Sequence, residues 1–296
     1  PGPGTQSQTQ RSFVGRYDWT ASPHLHYTAA AYASRFDTFG STIDPRFAVV
    51  WTPTADTVVR ASVGTGFRAP LLTERAFNPN LTAERTTEYE AGYEHRLTSG
   101  SNATRATLNL YRTNLRSPIF FSVDPATGAL LFLKNLGDVV YQGAEFRLDK
   151  PFNGGITAHA SYGIDIAYPL NNPFAFDPAA PNVVQGQQFQ GIPPHKAQLA
   201  IERNAKTGFD FSLTGSYESA NNEINRPAYV LVDASVGTTL GHTQLALGGR
   251  NLTNRFDSKF TLVGAGPAYP TPTGPAPTDA FALQGRSITL TAAQRY

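Results

Sequence analysis

The chain has no cysteine and no methionine among its 296 residues. The first absence excludes disulfides, zinc–thiolate centres and thiol catalysis, and leaves the compartment open. The second extends to position 1, so a segment of a longer product is expected. Charge is scarce too: Asp, Glu, Lys and Arg make up 16%, below the usual quarter or so of a soluble domain. A net charge of +2 gives no reason to expect a polyanionic partner, and bases interleave with acids without a nucleic-acid-binding stripe. No run of about 18 apolar residues occurs, which excludes a transmembrane helix. No signal-peptide pattern stands at the front, and PGPGTQSQTQ reads as the tail of a loop.

What the chain does have is aromatic residues, 13 Tyr and 19 Phe, and strict alternation. In 59–67 the odd positions are Val59, Ala61, Val63, Thr65 and Phe67, and the even ones are polar or glycine. In 86–97 Tyr89, Ala91, Tyr93 and Leu97 oppose Glu88, Glu90, Glu94 and Arg96. Residues 156–166, 196–202 and 209–218 repeat the pattern. Period two over such lengths predicts strands with one apolar face. Several segments reach about 10 residues, the length a tilted strand needs to cross a bilayer, whereas ordinary strands centre near 5–6. The apolar faces mix small residues with Leu, Ile and Phe and carry Tyr near their ends, which suits a lipid-facing band better than a packed core.

The connections alternate in length. Residues 54–56, 98–104, 151–155, 206–208 and 240–242 are short; 67–84, 168–191, 220–226 and 256–283 are longer. Short turns on one rim and long loops on the other are the layout of an outer-membrane barrel. The Pro-rich stretch 264–279 reads as an outer loop. The expectation is therefore all-β: an antiparallel transmembrane β-barrel of about 13 strands. These run roughly over 11–21, 24–36, 44–52, 57–67, 85–97, 104–117, 131–149 (divisible at Gly137), 155–167, 194–204, 208–219, 228–239, 242–252 and 284–296. An odd antiparallel set cannot close without a parallel seam. Left open, its edges would leave orphan backbone groups costing several kcal/mol each in hydrocarbon, a total of tens. The chain is therefore expected to be the later part of a larger barrel.

VVRASVGTGFRAP, residues 58–70, contains G-x-G-x-x-A, the pattern of a dinucleotide-binding turn. That reading needs a helix opening at the second glycine. Pro70 disfavours helix at Ala69, and no helical stripe long enough to cover a sheet follows. The same stretch resembles TonB-dependent outer-membrane receptors. In that family a strand ends in G-F-R-A-P, a loop follows, and N-P-N-L-x-x-E-x-[ST]-x-x-Y-E-x-G begins the descent. The matching residues are Gly66, Phe67, Arg68, Ala69 and Pro70, then Asn78, Pro79, Asn80, Leu81, Glu84, Thr86, Tyr89, Glu90 and Gly92. Asn135–Gly137 with Tyr141–Glu145, Arg250–Phe256 and Gly285–Leu290 resemble three later family segments in order. Tyr296 with Ala292, Leu290 and Ile288 resembles the terminal strand, from which Gln294 departs.

The resemblance implies the C-terminal portion of a barrel of about 22 strands. A signal peptide, TonB box and plug, which the family carries at its N-terminus, are absent from these residues. It implies energy-coupled uptake of a scarce nutrient, usually a ferric siderophore, with TonB–ExbB–ExbD as partner through the plug. It also implies outer-membrane lipid as surroundings, no cofactor and no covalent chemistry. The motif itself reads as structural, at the strand end and rim. Charges Arg60, Glu88, Glu94, Arg96, Glu145 and Arg147 are expected to face inward, since a basic residue facing lipid at the midplane costs about 2–4 kcal/mol. A passive porin or structural barrel is the alternative that needs no TonB. An outer-membrane enzyme would need a nucleophile, and no G-x-S-x-G or marked acid pair is present. His24 and His26 lie two apart on one expected strand, without a third ligand for a metal. Tyr168, Asn171, Asn172, Phe174, Phe176, Gln187, Gln188 and Phe189 could line a loop mouth or simply pack it.

Overall fold

The computed structural model describes residues 7–38, 40–98, 100, 102–123, 130–135, 137–171, 186–189, 192–204, 208–220, 228–255 and 285–294. In chain order its elements are β1 (Gln10–Ser22), β2 (Leu25–Phe36), β3 (Gly40–Thr54), β4 (Thr57–Arg68), a short helix α1 (Leu72–Phe77), β5 (Glu84–Arg96), β6 (Arg105–Arg116), β7 (Ile119–Val123), β8 (Leu130–Asn135), β9 (Asp138–Pro151), β10 (Ile156–Pro169), β11 (His195–Arg203), β12 (Phe209–Glu218), β13 (Tyr229–Leu240), β14 (Thr243–Arg250) and β15 (Ser287–Gln294). Thirteen strands form one sheet in sequence order, and β7–β8 stands apart as a hairpin between β6 and β9. Every neighbouring pair is antiparallel, so β1 and β15 run the same way as the two open edges.

Where the chain reverses, the backbone chemistry is local. Gly241 turns β13 into β14 at φ 61°, and Gly154 and Gly155 turn β9 into β10 at φ 76° and 75°, a region that costs glycine nothing. Asn251 closes the end of β14 at φ 48°. Its side chain accepts from Arg255 N and Thr253 Oγ1 and donates to the Arg255 carbonyl, fixing the Asn251–Arg255 turn.

The register sorts side chains as the alternation predicts. Phe13, Leu199 and Leu290 on one face are 73%, 66% and 76% exposed. Among the described residues few apolar side chains are buried, among them Phe36, Leu81, Val139, Val140 and Ala167, with Pro70 and Pro169. No second layer covers the apolar face there, which rules out a sandwich core as the reason for the pattern. Near the short-turn rim that face carries Trp19 stacked on Tyr27 at 5.2 Å and Tyr27 stacked on Phe47 at 5.9 Å, with Trp51 half exposed. Both tryptophans of the chain lie in this cluster, where an aromatic girdle belongs.

The polar face is the concave one. Three side-chain contacts on it skip a strand: Arg46 to Glu90 across β4, Arg60 to Asn109 across β5, and Tyr111 to Asp165 across β9. Side chains converge in this way only on the inside of a curved sheet. That face is the lumen wall of an incomplete barrel.

The structure decides one open expectation, adds a short helix and corrects one reading. The segment 131–149 is two strands. Residues 130–135 pair with 119–123 in the extra hairpin, and only Asp138–Pro151 joins the sheet. Residues 72–77 form one helical turn and a half within the loop after β4. His24 lies in the β1–β2 turn, so it shares no strand face with His26, whose Nδ1 is 3.0 Å from Thr20 Oγ1. Asn172, Phe174, Phe176, Arg226, the 264–279 stretch and Tyr296 lie outside the described residues.

Candidate functional site

The lumen wall carries a row of paired positions that crosses eight strands: Arg60, Gly92, Asn109, Glu145, Gly163, Lys196, Glu218 and Tyr229. It starts near the short turn below β4 and ends at the long-loop end of β13. Strand tilt makes any such row climb obliquely. Two concavities lie along it. One of about 480 Å³ is lined by Arg46, Arg60, Glu88, Glu90 and Asn109. One of about 750 Å³ is lined by Arg147, Ser161, Asp165, Lys196 and Glu218. Asn109 and Glu145 border both.

Two glycines on this wall let side chains reach across a strand. Arg60 Nη2 donates to Asn109 Oδ1 at 2.5 Å by passing over Gly92, where a Cβ would lie 2.5 Å from Arg60 Nε. The Tyr111 hydroxyl donates to Asp165 over Gly143, where a Cβ would collide with the Ile164 carbonyl oxygen. The remaining charges pair along the wall. Glu90 accepts from Ser62 at 3.0 Å and lies 3.7 Å from Arg46. Glu94 pairs with Arg105 at 3.2 Å and Arg96 with Asp56 at 3.5 Å. Arg147 pairs with Asp149 at 2.9 Å, and Asp149 also meets His159 Nδ1 at 2.6 Å. Arg60, Glu88, Glu94, Arg96, Glu145 and Arg147 all stand on this concave face by register. These exposed pairs contribute little stability each; they set a mixed-charge, wettable wall.

A second cluster occupies the long-loop rim. Arg68, the middle residue of G-F-R-A-P and the last of β4, binds Glu84 across β4–β5 and Glu74 of α1 at 3.1 Å. Glu74 also accepts from Leu71 N at 2.6 Å, closing the helix entry. The other Glu84 oxygen accepts from Ile119 N at 2.6 Å, at the root of the β7–β8 hairpin. Asn78 donates to the Leu133 carbonyl at 2.7 Å and accepts from Asn80 N at 3.0 Å. Asn135 accepts from Thr82 N and donates to the carbonyls of Thr82 and Ser117. Leu81 is buried beneath them. The motif residues Gly66, Phe67, Ala69, Pro79, Tyr89 and Gly92 lie on the strands and loop flanking this knot, at no contact that singles out a ligand. Asn135 was legible as a family position, but its bonding to Thr82 depends on a hairpin that alternation alone did not separate.

Gln188, for which lining the loop mouth and packing the loop were both open, is turned inward on the backbone. It accepts from Ala167 N and donates to the carbonyls of Asp165 and Ile192. Among the described residues no group of three or more His, Asp or Glu is arranged to hold a metal ion.

Thirteen antiparallel strands, an uncovered apolar face and a charged lumen wall define part of an outer-membrane barrel. The chain belongs to the TonB dependent receptor-like, beta-barrel family, whose profile matches residues 2–252. Barrels of this family are bacterial outer-membrane proteins, receptors and transporters rather than enzymes. Similar solved structures include the siderophore receptor PirA from Pseudomonas aeruginosa, at 18% identity and TM-score 0.63 over 84% of this chain and 44% of that one. A mutant of the ferric enterobactin receptor PfeA from the same organism matches at 15% and 0.70, over 96% and 44%. The copper transporter OprC matches at 14% and 0.71, over 98% and 47%. The chain thus spans less than half the length of these solved chains. No curated protein sequence matches it.

Proposed function

We propose that these residues form the later part of the barrel of a receptor that takes up a ferric siderophore by energy-coupled transport. The remaining strands and a plug, contacting TonB–ExbB–ExbD, would come from polypeptide outside these 296 residues. The observation that carries this reading is the lumen wall. Its mixed charges pair with each other and line concavities along an oblique row, a surface suited to seating a polar plug and passing a hydrated ligand. The siderophore assignment draws support from the likeness to the siderophore receptor PirA and the ferric enterobactin receptor PfeA. OprC, with a fold as similar, is a copper transporter, so the ligand is set by loops and plug.

The test is iron uptake by the receptor containing this chain, expressed in a siderophore-auxotrophic host lacking its own ferric siderophore receptors. Uptake of radioactive iron with supplied siderophores is expected to require TonB. Uptake that persists in a tonB deletion would mean a passive pore and sink the proposal. TonB-dependent uptake of copper without iron would leave the coupling intact and replace the ligand.

A further inference from the structure

A chain of paired charges crosses the lumen wall near the short-turn rim, the periplasmic end of such a barrel. It runs from Asp56–Arg96 through Glu94–Arg105 to Asp149, which stands directly opposite Arg105 and binds Arg147. Its last link is His159 of β10, which stands opposite Asp149 of β9 and shares the concave face with it. His159 Nδ1 lies 2.6 Å from Asp149 Oδ1, and its Nε2 lies 3.7 Å from Glu202 Oε1 on β11. Among the described residues His159 is the one basic side chain within ion-pair distance of Glu202, whose other polar contact is the Asn204 amide at 3.3 Å. Asp149, by contrast, keeps Arg147 whatever the state of the imidazole.

A neutral ring cannot serve both carboxylates. It has one N–H and one bare nitrogen, so it donates to one acceptor only. With its proton on Nδ1 it serves Asp149 and turns a lone pair toward Glu202. The imidazolium, with a proton on each nitrogen, is attracted to both. Histidine is the side chain whose ordinary range puts that change of charge between about pH 5 and 8. The charged groups around this ring are Asp149 and Arg147 on β9, Arg105 beyond them on β6, and Glu202 on β11. Asp210 of β12 borders a neighbouring recess on the far side of Glu202. Lys150 and Arg203, nearest the same rim, stand on the outward face by register. The recess at the ring, about 280 Å³, is lined by Arg147, Ser161, Gln198, Glu202 and Thr214.

We propose that His159 is a pH-dependent tie at the periplasmic end of the lumen wall. Protonated, it joins β9, β10 and β11 through Asp149 and Glu202. Neutral, it stays on Asp149 and releases the Glu202 carboxylate into the recess. The tie is present at low pH and is lost as pH rises through the titration of the imidazole. Its loss takes one positive charge from the wall between two carboxylates, with Asp210 close by. The periplasmic end of the lumen is then more acidic and its strands less firmly joined in alkaline medium. This inference rests on the outer-membrane location and not on the transported ligand.

The test uses the complete receptor purified in a neutral maltoside detergent, with heat-modifiability on gels verifying the fold of each variant. Amide hydrogen exchange read by mass spectrometry reports the protection of peptides covering 156–162 and 196–203. Exchange is measured at about pH 5.5 and about pH 8.5, on either side of the histidine range, and corrected for the intrinsic pH dependence of exchange. The parent is expected to be about two- to fivefold more protected at the lower pH, the range of a half-exposed ion pair. His159→Gln is expected to show the lower protection at both pH values, and His159→Lys, a permanent cation, the higher protection at both. Glu202→Gln is expected to abolish the pH response with the imidazole in place. A pH response of parental size in His159→Gln or Glu202→Gln would overturn the proposal, as would its absence in the parent. Lysine behaving as glutamine does would overturn it too, by showing that the charge at position 159 ties nothing.

Discussion

At the scale of single residues the lumen wall is built on two glycines whose replacement should differ in cost. An alanine at Gly92 would press on the Arg60 side chain, with its nearest approach to Nε. Arg60 is long and exposed, so it can swing away and lose its bond to Asn109. An alanine at Gly143 would meet the Ile164 carbonyl oxygen, which belongs to the next strand and cannot move without breaking the ladder, and the Tyr111 ring as well. Gly143→Ala is therefore expected to cost about 1–3 kcal/mol in urea unfolding of the lipid-embedded receptor, the usual range for forced overpacking. Gly92→Ala should fall below about 1 kcal/mol, as a volume change that flexible neighbours absorb. Equal losses for the two would show that strand-skipping contacts, not backbone clearance, decide what these positions tolerate.

At the scale of elements the family motif is a knot that ties three pieces of chain at one rim: the end of β4, the loop bearing α1, and the β7–β8 hairpin. Asn135 carries most of the hairpin's share, with three hydrogen bonds to the backbone of Thr82 and Ser117. Asn135→Ala leaves those groups without their partner in a region only partly shielded from water, so the barrel should survive while the hairpin loosens. The expected outcome is several-fold faster protease cleavage between 117 and 137 on intact cells, with unchanged heat-modifiability of the barrel. Cleavage at the parent's rate would mean that Glu84 and Asn78 suffice to hold the hairpin. This is also where reading from sequence reaches its limit. All thirteen sheet strands follow from alternation, because one face meets lipid and the other water and every position must choose. The hairpin does not, because it faces neither medium in that regular way. Residues 130–135, LLFLKN, follow no strict alternation, and the left-handed Gly137, at φ 49°, marks the break before 138–151. The contacts across Gly92 and Gly143 depend on sheet curvature, which no local pattern encodes.

At the scale of the whole molecule the decisive feature is that the sheet has two ends. β1 and β15 each pair on one side only among the described strands. With 13 and 8 residues, they expose on the order of ten backbone N–H and C=O groups that water cannot reach inside a bilayer, at several kcal/mol apiece. Joining the two edges would satisfy some of these groups, but both strands run in the same direction, so the seam would be parallel in an otherwise antiparallel wall. Such a seam does not return the tens of kcal/mol at stake. The 296-residue chain on its own is therefore expected not to refold into detergent or lipid vesicles as a heat-modifiable species, and to remain protease-sensitive throughout. A second polypeptide supplying the missing strands, an odd number of about nine in a barrel of about 22, would have to pair with both β1 and β15. The species that forms should run faster on unheated gels only when both are present. A compact, heat-modifiable band from the chain alone would require the edges to have found partners in each other, or in a second copy. Chemical crosslinking between cysteines placed on β1 and β15 distinguishes the two, since closure within one chain gives a monomer and pairing between copies a dimer.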